Sequence, residues 1–265
     1  MMGVAVLIGE LVALGGSLYF PLAFLGFSTA FMLTGASMVV NDYYDRNVDA
    51  INAPERPIPS GIVSTQEALA YAFVLFIMGL IAAALTDFLC LVIGVFATIV
   101  SIAYNTKGKR MGLIGNFMVS YCVANPFIYG GCVVGNVLKP LTLMFALPAF
   151  LSNVGREITK GITDVEGDRL RDVRTIAILY GSGRAAILAA VFYLLAVVLS
   201  PLPLLYGLVS SYYLPIVALS DVGFIVLSIL LIINHTPENA RRMKQMVLLS
   251  MMLALLAFVG GLYGR

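Results

Sequence analysis

The sequence has no tryptophan and one histidine, and Asp, Glu, Lys and Arg together make up only 11% of its 265 residues. An ordinary globular domain carries roughly 25% charged and about 45–50% apolar residues. Here the hydrophobic fraction is 60% and the mean hydropathy +0.98. So little charge excludes a cytosolic enzyme or a secreted scaffold and identifies an integral membrane protein. Cys90, Cys122 and Cys132 all lie in apolar runs, so they read as small hydrophobes, neither a disulfide set nor a metal site. The single histidine, His235, sits beside Pro237 at a helix boundary and reads as a loop residue. No Ser–His or Cys–His arrangement exists for nucleophilic catalysis. A net charge of +2 without a basic tail gives nucleic acid nothing to bind. Without tryptophan, an interfacial aromatic belt falls to 13 Tyr and 15 Phe. The N-terminus has no basic n-region and no small-residue cleavage site, so it reads as a first span.

Apolar stretches of near-spanning length recur along the chain, each ending in polar or turn-forming residues. They predict nine helices, at about 3–18, 20–43, 64–85, 88–104, 112–135, 139–163, 183–200, 213–233 and 240–262. Pro126 should kink the fifth, and the proline-broken segment 201–213 suggests a re-entrant loop. Charge tests the layout independently. Of the 16 Lys and Arg, all but Lys139 and Arg265 fall in or beside the connections after helices two, four, six and eight. That segregation makes those four connections cytoplasmic, with the N-terminus inside and the C-terminus outside. Most of the 14 acids lie there too, leaving Glu10 and Asp87 elsewhere and Asp221 ambiguous. A face both basic and acidic fits a site for a metal-bound anion.

Two acidic clusters carry that face. In the first, Asn41, Asp45 and Asp49 step by four, so a continuing helix stacks them on one side, bordered by Asp42. Like charges within two turns repel unless a cation neutralises them, and carboxylate and amide oxygens suit Mg²⁺. In the second, Asp164, Asp168 and Asp172 repeat the step, with Arg156 and Lys160 continuing the stripe toward the membrane and Gly167 a candidate helix stop before Asp168. A solvated helix end explains either run taken alone; two runs with one step on one side of the bilayer mark a site. Facing clusters suit a diphosphate leaving group, with two Mg²⁺ bridging carboxylates and diphosphate oxygens. An allylic carbon then ionises without any protein nucleophile.

At these residues the chain resembles the UbiA-type intramembrane prenyltransferases. Their NDxxDxxxD pattern is matched in full by Asn41, Asp42, Asp45 and Asp49, and DxxxD by Asp164 and Asp168. The longer strings NDYYDRNVDAINAPERPIPSG (Asn41 to Gly61) and NVGREITKGITDVEGD (Asn153 to Asp168) resemble the archaeal branch that makes membrane ether lipids. The resemblance implies an all-α, U-shaped bundle of about nine transmembrane helices around a central cavity open to lipid, one domain over residues 1–265. It implies Mg²⁺-dependent transfer of a geranylgeranyl group from its diphosphate to a lipid-phosphate acceptor, without an obligate protein partner. It makes Asn41, Asp42, Asp45, Asp49, Asp164 and Asp168 the metal-holding, catalytic set. The family carries a polar Arg/Asn-containing segment at its first helix, which is missing before Glu10, so either the N-terminus is incomplete or that substrate contact is lost.

Tyr104 and Lys107, in the Tyr104–Arg110 stretch, are the preferred diphosphate partners by resemblance. Arg46, Arg110, Arg156 and Lys160 are further candidate phosphate partners on charge and position, with Asp172 a second-tier member of the acidic cluster. An ordinary positive-inside anchor explains the Lys107–Arg110 cations equally simply. Asn116, Tyr121 and Asn125 fit packing or interhelical hydrogen bonds as well as substrate contact. The proline-rich loop 50–64 and residues 165–182 read as caps that exclude water from a carbocation. An aromatic-acceptor prenyltransferase of quinone, chlorophyll or haem biosynthesis remains the rival within the class. A secondary transporter or cation channel is the rival outside it, but would place its acids near the bilayer midplane.

Overall fold

A computed structural model describes residues 2–137, 139–163, 165–170 and 173–263, with the Leu170 side chain excepted. Every regular element among them is helical: α1 (Met2–Leu14), α2 (Phe20–Asn52), α3 (Thr65–Thr86), α4 (Phe88–Thr106), α5 (Leu113–Val133), α6 (Pro140–Ile162), α7 (Val165–Leu170), α8 (Ile176–Tyr180), α9 (Ser182–Leu199), α10 (Leu202–Leu205), α11 (Tyr213–Ile233) and α12 (Pro237–Gly260). A 3₁₀ turn, Gly108–Arg110, links α4 to α5. Among the described residues, six helices are long and apolar enough to cross a membrane: α2, α3, α4, α11, α12, and α9 continued through α10. The chain is a multi-pass membrane protein.

Two boundaries depart from expectation with visible causes. The second helix does not end at 43 but runs to Asn52, because nothing breaks it before Ala53, which the following Pro54 keeps out of the helical conformation. Its 33 residues reach about 50 Å at ~1.5 Å per residue, against roughly 30 Å of hydrocarbon. The last turns therefore stand in water and carry the first acidic cluster as helix. The first helix stops at Leu14, before Gly15 and Gly16, which both take positive φ. Pro201–Tyr213 holds only the single turn of α10 before α11 begins. Pro126 lies inside a continuous α5.

Packing follows the membrane rule, with small residues inward and large apolar ones toward lipid. α3 buries Ala68, Ala72, Gly79, Ala82 and Ala83 against its neighbours, while Phe73, Ile77 and Ile81 point outward. α9 buries Ala185, Ala186, Ala189 and Ala190 in the same way. The helices pack as α2–α3–α4–α5 and as α6–α9–α11–α12, with α5 against α6 and α1 lying on both α2 and α5. Two glycines set the α1–α5 spacing. A Cβ on Gly130 would lie 2.2 Å from the Val6 carbonyl oxygen, and one on Gly9 would lie 2.4 Å from that of Phe127. Backbone cannot yield as a side chain can. Gly130→Val should therefore cost on the order of 3 kcal/mol, read as a lowered unfolding midpoint in detergent. Gly35→Ala, whose Cβ would meet only Leu75 at 3.5 Å, should leave that midpoint unchanged.

Candidate active site

Leu33, Ser37, Asn41, Asp45 and Asp49 step by four along α2, so one stripe runs from the membrane interior to the exposed helix end. Beside its lower part lies a cavity of about 210 Å³ between α1, α2, α4 and α5, walled by Leu33, Ala97, Val119 and Pro126. A polar collar marks its passage toward the acids: Ser37 and Ser101 share a hydroxyl hydrogen bond. Buried Asn105 donates from Nδ2 to the Ser37 carbonyl at 3.2 Å and to its Oγ at 3.3 Å. Asn105 escaped the sequence reading because nothing in a lone asparagine near a helix end distinguishes it from a capping residue.

Above the collar the carboxylates meet cations from two other segments. Lys109 Nζ, delivered by the 3₁₀ turn, donates to Asp45 Oδ2 at 2.7 Å, and Asn41 Nδ2 donates to the same oxygen at 3.1 Å. Arg56 Nη1 reaches back from the proline-rich loop to Asp49 Oδ2 at 2.8 Å and Asp42 Oδ1 at 3.4 Å. The hydrogen bond and charge of Asp49 push the Arg56 pKa further up. The loop folds on itself through the backbone bonds Ser60–Arg56 and Val63–Pro57, with Gly61 at φ +79°. Arg56 is the side chain that ties it to the acids.

The end of α6 offers a second charged group. Glu157 accepts from Arg156 Nη1 at 3.0 Å and from Lys160 Nζ at 3.2 Å. Lys244 of α12 lies within electrostatic reach of Arg156, Lys160, Glu157 and Arg241. Three bases, Arg156, Lys160 and Lys244, near one carboxylate leave an excess of positive charge, matched to an anion. The two helix tips share a neighbour: the Tyr104 hydroxyl at the end of α4 lies within electrostatic reach of both Asp45 and Glu157.

The predicted residues fall unevenly around this centre. Asn41, Asp42, Asp45, Asp49, Tyr104, Arg156 and Lys160 lie at it. Lys107 is exposed, and Lys109 two residues on is the lysine that reaches Asp45. Arg46 is turned along its own helix, donating to the Tyr43 carbonyl at 2.7 Å with its guanidinium 4.5 Å from the Tyr43 ring centre. Arg110 opens on a separate groove. Asp164 and Asp172 lie outside the described residues. Asp168 sits within α7, so Gly167 does not end a helix before it, and the turn at Thr163 separates α7 from α6. The stripe from Arg156 and Lys160 to Asp168 is therefore not one helix face. Lys244 was legible only as a positive-inside charge, since no local pattern ties it to residues some eighty positions away.

Among the described residues no three acidic, histidine or cysteine side chains stand close enough to hold a metal by themselves. The first cluster nonetheless fits Mg²⁺ by its donor chemistry. It offers hard oxygens from Asp42, Asp45 and Asp49, and the Oδ1 of Asn41 remains after Nδ2 has turned to Asp45. Mg²⁺ commonly takes one or two carboxylates and completes its shell with substrate phosphate and water.

The sequence profile of the UbiA prenyltransferase family matches residues 2–262. A Methanosarcina mazei protein named digeranylgeranylglyceryl phosphate synthase is 36% identical over 238 residues, covering 89% of this chain and 81% of that relative. The Methanopyrus kandleri protein of the same name is 38% identical over 262 residues, covering 99% and 94%. A solved structure, described as giving structural and mechanistic insights into digeranylgeranylglyceryl phosphate synthase in membranes, superposes with a TM-score of 0.87. It is 31% identical and covers all of this chain and 94% of its own. An Archaeoglobus fulgidus UbiA homologue bound to DMAPP and Mg²⁺ shares the fold at TM-score 0.66 and 16% identity, covering 97% and 95%.

Because Arg56 alone bridges the loop to Asp42 and Asp49 among the described ion pairs, Arg56→Ala should speed proteolytic cleavage within residues 53–64 several-fold. Timed digestion of the detergent-solubilised protein reads this, and cleavage at the wild-type rate would show the loop held by its own backbone bonds alone.

Proposed function

Because the chain belongs to the UbiA prenyltransferase family, we propose that it transfers a geranylgeranyl group from geranylgeranyl diphosphate to the free hydroxyl of geranylgeranylglyceryl phosphate in archaeal ether-lipid biosynthesis. It acts as one transmembrane domain whose helices cross the bilayer nine times in a U-shaped bundle, with the site on the cytoplasmic side. The observation that carries the reading is the acidic face of α2, where Lys109 and Arg56 arrive from two other segments on Asp45 and Asp49, on the same helix as the Ser37 that lines the cavity. The names of the relatives support the same substrates.

The parts divide by chemistry. The cavity between α1, α2, α4 and α5 takes the isoprenoid tail, and the Ser37–Ser101–Asn105 collar lies between that tail and the diphosphate. Asn41, Asp42, Asp45 and Asp49, with Asp164 and Asp168, hold two Mg²⁺. Bound there, the ions neutralise the diphosphate and stabilise the negative charge that grows as it leaves. Lys109 serves the same diphosphate from the side of Asp45. The allylic C–O bond breaks, the glycerol hydroxyl adds to the carbon released, and its proton passes to the departing diphosphate or a carboxylate of the cluster. The proline-rich loop and the segment 165–182 that holds α7 and α8 exclude the water that would otherwise trap the cation as prenyl alcohol. Arg156, Lys160 and Lys244 take the acceptor's own phosphate. An aromatic acceptor brings no phosphate and leaves those bases without a ligand, which favours the lipid acceptor.

Membranes bearing the protein, given labelled geranylgeranyl diphosphate, Mg²⁺ and a panel of acceptors, should form the digeranylgeranyl ether lipid and no prenylated aromatic. Asp45→Ala and Asp168→Ala should each lower turnover about 10²-fold or more while the protein elutes as folded. Near-normal turnover in both would refute the site. Lys109→Ala should lose at least tenfold where Lys107→Ala loses little. Lys244→Ala should raise the KM for the phosphate-bearing acceptor about tenfold, roughly 1.4 kcal/mol, and leave the KM for the donor unchanged.

A further inference from the structure

Outside this site lies a groove of about 770 Å³ between the α4–α5 turn, the segment before α8 and the first turns of α5 and α9. Three arginines from three segments line it: Arg110, Arg174 and Arg184. Arg56, Arg156, Lys109 and Lys160 all pair with carboxylates. These three form no ion pair among the described residues and are exposed. Three like charges on one groove with no acid paired to them among the described residues offer a site to an anion. Two long helices also begin here, α5 at Leu113 after Gly112 and α9 at Ser182 after Gly181, and neither start is capped by a side chain. Their free N–H groups add further positive potential.

The remaining wall is apolar. Ile114, Leu179 and Leu188 line it, the first two more than half exposed, and Tyr180 stands beside them at 57% exposure. α9, which carries Arg184 and Leu188 of this lining, continues from the rim as a helix long and apolar enough to cross a membrane. The walls are built to stay together. Gly112 at φ +57° lets the Arg174 carbonyl approach to 2.4 Å from where a Cβ would stand, and the Arg174 N–H donates to the Arg110 carbonyl at 3.3 Å.

We propose that this groove binds a phosphate-headed lipid of the surrounding bilayer, with the phosphate among Arg110, Arg174 and Arg184 and an acyl or isoprenoid chain along Ile114, Leu179 and Leu188. A soluble anion needs no apolar wall, and a neutral lipid needs no arginine cluster. The bound lipid fastens the connection after α7 to the start of α5.

Thermal unfolding of the full-length detergent-purified protein with added lipid tests this. Phosphatidic acid should raise the midpoint by about 4 °C or more, whereas diacylglycerol with the same chains, or inorganic phosphate, should not. The rise should disappear in Arg174→Gln/Arg184→Gln, return in part in Arg174→Lys/Arg184→Lys, and persist in Asp45→Ala, which separates it from the prenyl-transfer site. An equal response to diacylglycerol or to inorganic phosphate would overturn the proposal. So would an undiminished response in the Gln pair, or a response to geranylgeranylglyceryl phosphate alone. Should the Gln pair fail to fold, the wild-type comparison of phosphatidic acid with diacylglycerol decides the matter.

Discussion

Charge neutralisation at the exposed end of α2 is the constraint to which the surrounding structure answers. Asp42, Asp45 and Asp49 lie within two helical turns, and repulsion between them would fray a helix end that nothing else held. Lys109 and Arg56 arrive from two different segments, 64 and 7 residues after their partners. Each pair is partly exposed, so neither contributes much to stability as a salt bridge. Their consequence is geometric: the α4–α5 turn and the proline-rich loop are both drawn to one spot. That spot lies on the same helix as Ser37, which lines the cavity and joins the Ser37–Ser101–Asn105 hydrogen bonds.

The membrane imposes the second constraint. Lipid offers helices no hydrophobic reason to associate, so contact area has to come from close approach of small residues. The alanine stripes of α3 and α9 and the Gly9–Gly130 contact provide it. α5 and α6, which are not among the six helices long and apolar enough to cross a membrane, hold many of the buried polar side chains, including Asn125, Ser120, Asn153 and Thr159. Asn153 donates to Ser120 across the two helices at 3.0 Å. Polar spans are affordable where protein, not lipid, surrounds them.

The long helices could be read along the chain because each is a run of apolar residues ended by glycine, proline or charge. Where the reading failed, a local signal had been overrated or was absent. A change from apolar to acidic residues at 43 suggested an end to the second helix, but acids in water do not stop a helix, and proline does. Gly167 suggested a break, yet α7 runs through it. The four-residue step of Asn41, Asp45 and Asp49 was visible because helical periodicity puts contact information into spacing. Lys109 and Lys244 were not visible as site residues, because their partners lie in other elements and no spacing rule links them.

The sequence by itself determined a multi-pass all-helical chain, the family and the first acidic face, since hydropathy, helical period and motif order are properties of consecutive residues. Only the tertiary structure decided which cations meet those acids, that Arg46 folds back on Tyr43, and that Arg110, Arg174 and Arg184 share a groove. Those outcomes depend on the directions in which turns deliver side chains across space. A one-dimensional pattern does not encode direction, so the charges were countable in advance and their pairing was not.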